Sequence, residues 1–145
     1  EESFLMQITR QADYALRAVL YLARRYEKTT ERAPTSQIAE DQEIPPSFLA
    51  KIISQLSIAG LINTSRGARG GVKLARSPEE ISLLDVVEAI DGPINLNECV
   101  ADPDACAFGD NCPIHEIFSD ARQELVRKLS ASTFDKMLDR EQELV

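Results

Sequence analysis

PPSFLAKIISQLSIAGLINTSRGARGGVKLA, residues 45–75, is the stretch on which the fold turns. Two prolines open it, and proline is tolerated in the first turn of a helix, where its missing N–H has no intrahelical partner to lose. From there to about Ala59, Phe48, Leu49, Ile52, Ile53 and Leu56 recur at helical spacing and are expected in the core. Gly60 follows where a helix stop favours a residue free to take positive φ. Leu61 to Ser65 and Val72 to Ala75 then predict two short strands. Arg66-Gly67-Ala68-Arg69-Gly70-Gly71 between them forms a tight, glycine-rich hairpin tip.

Upstream, Thr9 is placed to cap a helix running to about Tyr26, with Ala15, Leu16, Val19, Leu20, Leu22 and Ala23 as its apolar stripe. A polar loop from Glu27 to Ala33 leads to a short helix with Thr35 as its cap and Ile38 and Ala39 facing inward. Helix, turn, helix and basic hairpin is the order of a winged helix-turn-helix. The outer side of the second helix shows Ser47, Ala50, Lys51, Ser54 and Gln55, short or polar and free of acid, as entry into a phosphate-lined groove requires. At the hairpin tip, Gly70 and Gly71 let the backbone come close to a ligand, and Arg66 and Arg69 can reach phosphate or the minor groove.

Downstream, Ser82 with Asp85 is a capping-box pattern for a helix that ends near Asp91, before Gly92-Pro93. A long helix starts near Pro113, with Ile114, Ile117, Phe118, Ala121, Leu125 and Leu129 as one apolar stripe. Ser132 with Asp135 is expected to cap a last short helix holding Phe134, Met137 and Leu138. The fold class is therefore mainly α with a small β-wing, and the long stripe predicts a homodimer, since so small a domain cannot cover it alone. The expected organisation is residues 1–5 as an extension ahead of Met6, 6–76 as the winged helix, and 77–112 as a linker helix and cysteine loop. Residues 113–139 follow as dimerisation helix and tail, and 140–145 as the C-terminal end.

The net charge of −8 is unevenly spread. Residues 6–76 carry 11 Lys/Arg against 6 Asp/Glu, whereas residues 77–145 carry 5 against 16. A basic half joined to an acidic half can offer one face to phosphates. The chain has no apolar run long enough to span a membrane and no basic-then-apolar leader, which predicts a cytoplasmic protein. No P-loop, dinucleotide fingerprint, metalloprotease helix or nucleophile-plus-histidine arrangement is present, so an enzyme is not expected.

All three cysteines fall in one acidic segment, spaced Cys99-x6-Cys106-x5-Cys112, with His115 just beyond. An odd count argues against a disulfide scaffold and for a metal or redox site. Thiolates suit iron–sulfur clusters of the 2Fe–2S or 4Fe–4S type, which normally take four protein ligands. A Cys3His zinc site and metal-free redox thiols are the alternatives; zinc sites usually show a short C-x2–4-C pair, which this loop lacks. Glu98, Asp102, Asp104 and Asp110 would lower the reduction potential of a cluster held here.

These residues carry a resemblance. Met6 to Arg17, Ser47 to Leu56, Ala59 to Ile62, Ser65 to Gly71, Ile81 to Ile90 and the cysteine loop resemble the winged-helix family of the iron–sulfur cluster regulator and the nitric-oxide-sensing repressor, the IscR/NsrR family. The likeness spans nearly all of residues 6–139, and the Arg-Gly-x-x-Gly-Gly wing together with three clustered cysteines is specific in combination. The resemblance implies a homodimer on double-stranded, palindromic operator DNA, with a cluster on Cys99, Cys106 and Cys112. For the fourth ligand it offers two residues. Cys112-x2-His115 is similar to the spacing in the iron–sulfur cluster regulator, although Cys99 and Cys106 lie one residue further apart than there. Asp13 stands where the nitric-oxide sensor uses an aspartate across the dimer interface. Ala50 departs from the glutamate with which the iron–sulfur cluster regulator discriminates bases, so its operator preference is not carried over.

Overall fold

The first helix, α1 (Arg10–Tyr26), starts where its sequence cap directs: the Thr9 hydroxyl accepts from the Ala12 N–H, satisfying one of the free amides of the first turn. The computed structural model describes residues 7–96 and 111–144. α1 is followed by α2 (Thr35–Gln42), α3 (Pro46–Ile58), β1 (Ile62–Ser65), β2 (Gly71–Leu74), a 3-10 turn (Pro78–Glu80), α4 (Leu83–Asp91), α5 (Pro113–Ala131) and α6 (Phe134–Leu144). This is a mainly α winged helix-turn-helix with a two-stranded wing, as expected.

α1 lies at the centre and packs against α2, α3, α4, α6 and β2. Its inward face is built largely of small residues, Ala12, Ala15, Ala18 and Ala23, with Val19 and Leu22. Small side chains let several elements approach one helix closely. Leu16 and Leu20, expected in the stripe, are only half-buried at its margins. One cluster of buried side chains joins α1, α2, α3, the wing, Ile81, Val86 and Phe134.

The helix-turn-helix is fixed by two C-terminal motifs. After α2, Glu43 takes a left-handed conformation (φ 53°), and the Ile44 N–H donates back to the Ala39 carbonyl. After α3, Gly60 (φ 78°) donates to Ser57 O and Leu61 to Leu56 O, the paired bonds of a Schellman stop. β1 and β2 pair antiparallel from Ile62–Leu74 to Ser65–Gly71. β2 is pinned to the end of the loop before α2, where Ala33 and Val72 exchange both backbone hydrogen bonds, at 2.8 and 2.9 Å.

The capping box on α4 forms in full: the Asp85 N–H donates to Ser82 Oγ, and the Ser82 N–H donates to the Asp85 carboxylate. The chain around Ser82 also pairs with that around Thr133, with Leu83 N–H on Ser132 O and Phe134 N–H on Ile81 O. This stitch places α6 beneath α1.

Four expectations are corrected. Thr35 is the first residue of α2 rather than its cap; Pro34 holds the cap position, and no side chain caps that helix. Phe48 is 39% exposed, since helical spacing sets it at the edge of the buried face rather than on it. Ser132 ends α5, its hydroxyl donating to Lys128 O, and the side chain that meets Asp135 is that of Thr133. The last helix is not short: it runs on to Leu144, past position 139.

Candidate nucleic-acid interface and metal site

α3 turns Leu49, Ile52, Ile53 and Leu56 into the core and leaves Ser47, Ala50, Lys51 and Ser54 exposed. Gln55 is half-buried, and its Oε1 is buried without a hydrogen-bond partner among the described residues. No acidic side chain lies on the helix. A groove of about 1090 Å³ runs between α3 and the wing, with Ala50 and Pro46 on one wall, Ser65, Arg66 and Gly70 on the other, and Thr35 and Ser36 closing one end. No side chain caps α2, whose first residues line this groove, and a helix start carries the positive end of the helix dipole, which suits a phosphate.

The wing tip is a tight turn in which Gly70 N–H donates to Gly67 O at 2.9 Å. A Cβ on Gly70 would sit 2.4 Å from Ser65 O, and one on Gly71 2.3 Å from Ala33 O. The glycines are therefore steric requirements of the hairpin, beyond any approach to DNA. Arg66 and Arg69 project from this tip, exposed and in no ion pair among the described residues.

Of the candidate metal ligands, Cys99 and Cys106 lie outside the described residues, as do Glu98, Asp102, Asp104 and Asp110. Cys112 occupies the cap position of α5, half-buried and in no disulfide among the described residues. His115 follows within the first turn, and its Nδ1 is buried with no hydrogen-bond partner among the described residues. A thiol and an unpartnered imidazole nitrogen at one helix start are a donor set that fits a soft metal centre. Among the described residues no three His, Cys, Asp or Glu side chains come together within one chain. Asp13 is 69% exposed on α1, loosely paired with Arg17 at 3.9 Å.

Side-chain hydrogen bonds link the residues after α4 to α5, and the end of α4 to α1. Arg122 of α5 donates from Nε to Ile94 O at 2.6 Å. At the end of α4, the Asp91 carboxylate accepts from both the N–H and the hydroxyl of Thr9, at 3.2 and 2.5 Å, at the very start of α1. One turn beyond Asp13, Arg17 donates to Gln42 O at the last residue of α2. None of these three ties was visible in the sequence, because each joins residues far apart in the chain.

With this geometry in place, comparison with known proteins decides the family. The model of the Rrf2 family, described as an iron-dependent transcriptional regulator, matches residues 8–140. The chain belongs to the Rrf2 family. It is a DNA-binding transcriptional regulator by family, and not an enzyme. Within the family it is similar to the HTH-type transcriptional regulator NsrR of Halalkalibacterium halodurans, 32% identical over 140 residues, which cover 96% of this chain and 94% of that one. In fold it is similar to the IscR of T. potens (TM-score 0.73, 23% identical, 96% and 90% covered). The global cysteine regulator CymR of B. subtilis is another fold neighbour (TM-score 0.75, 23% identical, 93% and 98% covered). Among the described residues of this Rrf2-family chain, no helix is long and apolar enough to cross a membrane.

Proposed function

We propose that this chain is a homodimeric regulator that binds palindromic operator DNA, with an affinity set by an iron–sulfur cluster on Cys99, Cys106 and Cys112. The fourth ligand in this reading is His115 or Asp13 of the partner subunit. The observation that carries it is the start of α5, where the Cys112 thiol and the unpartnered Nδ1 of His115 stand within one turn. The description of the family as an iron-dependent transcriptional regulator supports it, and so does the likeness to NsrR. When bound, the cluster would supply iron–ligand bonds that respond to redox state, nitric oxide or iron supply, and a non-thiolate ligand would be the labile one.

The chain's own residues would carry the response. Asp91 on Thr9 holds the C-terminal end of α4 to α1, and Arg122 on Ile94 O holds the residues just after α4 to α5. A change in the loop would act on DNA affinity only through contacts that differ between its two states, and these are the contacts in reach. On the DNA side, Ser47, Lys51, Ser54 and Gln55 would read bases, with Arg66 and Arg69 on the sugar–phosphate backbone. This regulator would act in the cytoplasm.

The test is to purify the protein without air from iron-replete cells and to measure iron, acid-labile sulfide and visible absorption. Iron with matching sulfide is expected, lost or sharply reduced in Cys99→Ala, Cys106→Ala and Cys112→Ala. Of His115→Ala and Asp13→Ala, the one that removes the true ligand should still assemble a cluster and lose it faster to oxygen. Stoichiometric zinc without sulfide, or metal-free protein with reactive thiols, would overturn the cluster reading in favour of a zinc or thiol regulator.

A further inference from the structure

Two apolar groups at the edges of the exposed face of α3 have no role in the core. Phe48 is 39% exposed, and its ring leans on Tyr14, with centroids 6.0 Å apart and planes tilted by 55°. Tyr14 is itself held under the Arg17 guanidinium, 4.9 Å from the ring centroid, so the Phe48 ring is braced rather than loose. Ala50 is exposed on the other edge, in the groove it shares with Ser65 and Arg66. Helical spacing puts Ser47, Lys51 and Ser54 between these two edges. Over residues 47–54 the exposed surface of the helix is thus a polar centre flanked by a methyl on the wing side and a phenyl on the α1 side, with Ile58 exposed beyond it at the helix end.

In the major groove the base edges offer donors, acceptors and one apolar group, the C5 methyl of thymine. A side chain that can neither donate nor accept strips water from a guanine or cytosine edge and leaves its polar groups without partners. Against a thymine methyl the same side chain removes two apolar surfaces from water. We infer that Ala50 and Phe48 read thymine methyl groups, so that the operator half-site carries A·T pairs beside the positions read by Ser47 and Lys51. This rests on the DNA-binding reading above and adds the chemistry of the bases chosen.

The test first selects duplexes from a random pool with the full chain. Each thymine of the selected half-site is then replaced by deoxyuridine, which removes the methyl group and leaves the hydrogen-bonding pattern unchanged. At two positions the replacement should weaken binding about fourfold, the effect of one buried methyl. The penalty at one position should vanish in Ala50→Gly and at the other in Phe48→Ala, with melting temperature confirming that each variant is folded. Where a variant does not fold, the wild-type deoxyuridine series alone decides. Preferential binding to the selected duplex with no deoxyuridine penalty anywhere would overturn the inference and leave the DNA-binding reading standing. Failure of the folded wild-type chain to enrich any duplex would overturn the DNA-binding reading itself, and the inference with it.

Discussion

Two backbone positions show opposite uses of positive φ. Gly71 (φ 134°) lies where β2 meets Ala33, and a Cβ there would fall 2.3 Å from a backbone oxygen. Gly71→Ala should destabilise the fold by about 2 kcal/mol or more and loosen the wing, seen as a lower melting temperature and weaker DNA binding. Glu43 (φ 53°) makes the turn between α2 and α3 with a side chain that disfavours this conformation. Glu43→Gly should therefore stabilise by about 0.5–1 kcal/mol, the relief of strain outweighing the looser unfolded chain. A denaturant titration showing the reverse signs would refute the turn geometry. Side chains at the same tip act on charge instead. Arg66→Ala and Arg69→Ala should each weaken binding to all duplexes alike and reduce the salt dependence of log K by about one unit per lost phosphate contact. Unchanged affinity and salt slope in both would remove the wing from the interface.

Elements whose ends carry a local chemical signal were legible from sequence. Thr9, the Ser82–Asp85 box and Gly60 each satisfy or terminate a helix through neighbours a few residues away, and the structure uses all three. Where two adjacent residues competed, as Pro34 with Thr35 and Ser132 with Thr133, the pattern was ambiguous by one position and the reading slipped. Phe48 was misplaced because periodicity reports a face and not its edge. The contact between α1 and α6 was not legible at all, since Arg24 and Glu141 lie at opposite ends of the chain. Their side chains meet at 2.8 Å through two guanidinium nitrogens. The Arg24 hydrogen bond holds the Glu141 carboxyl below its ordinary value of 4.5 and raises Arg24 in turn. The stabilisation is therefore complete above that ordinary value and is lost as the pH falls through it and on through the lowered one. Both groups are more than a third exposed, so the pair contributes no more than about 1 kcal/mol. Glu141→Gln should lower the melting temperature slightly at neutral pH and at low salt, and the difference from wild type should close in acid. A difference that persists in acid would assign the effect to packing instead.

At the scale of the whole molecule, α5 is the element that does not belong to a single chain's core. It is the longest helix described, yet it has no buried residue, and Ile114 and Ile117 are 60% and 66% exposed. The remainder of the expected stripe, Phe118, Ala121, Leu125 and Leu129, is only half-buried. α5 packs on α4 and is tied there by Arg122, which leaves its outer side to water. A stripe of this kind is stable in solution when a second copy covers it, and a two-fold pair would bury the same patch on both chains. Such a pair would also set two α3 helices at a fixed spacing, as a palindromic operator requires. The choice of variant matters, because Leu125 is partly inside its own chain and Leu125→Asp could unfold the monomer as well as part the dimer. Ile117→Glu avoids this, since two-thirds of the side chain already faces water and the folded monomer loses little. Each isoleucine newly buried would contribute about 1.5–3 kcal/mol per chain, and a carboxylate in its place must be desolvated without a partner. Sedimentation of Ile117→Glu should therefore show monomer with an unchanged far-ultraviolet spectrum. Binding to a full operator should fall to the level of a single half-site, while binding to an isolated half-site stays the same. A variant that remains dimeric would move the interface off α5 and require another explanation for its exposed stripe.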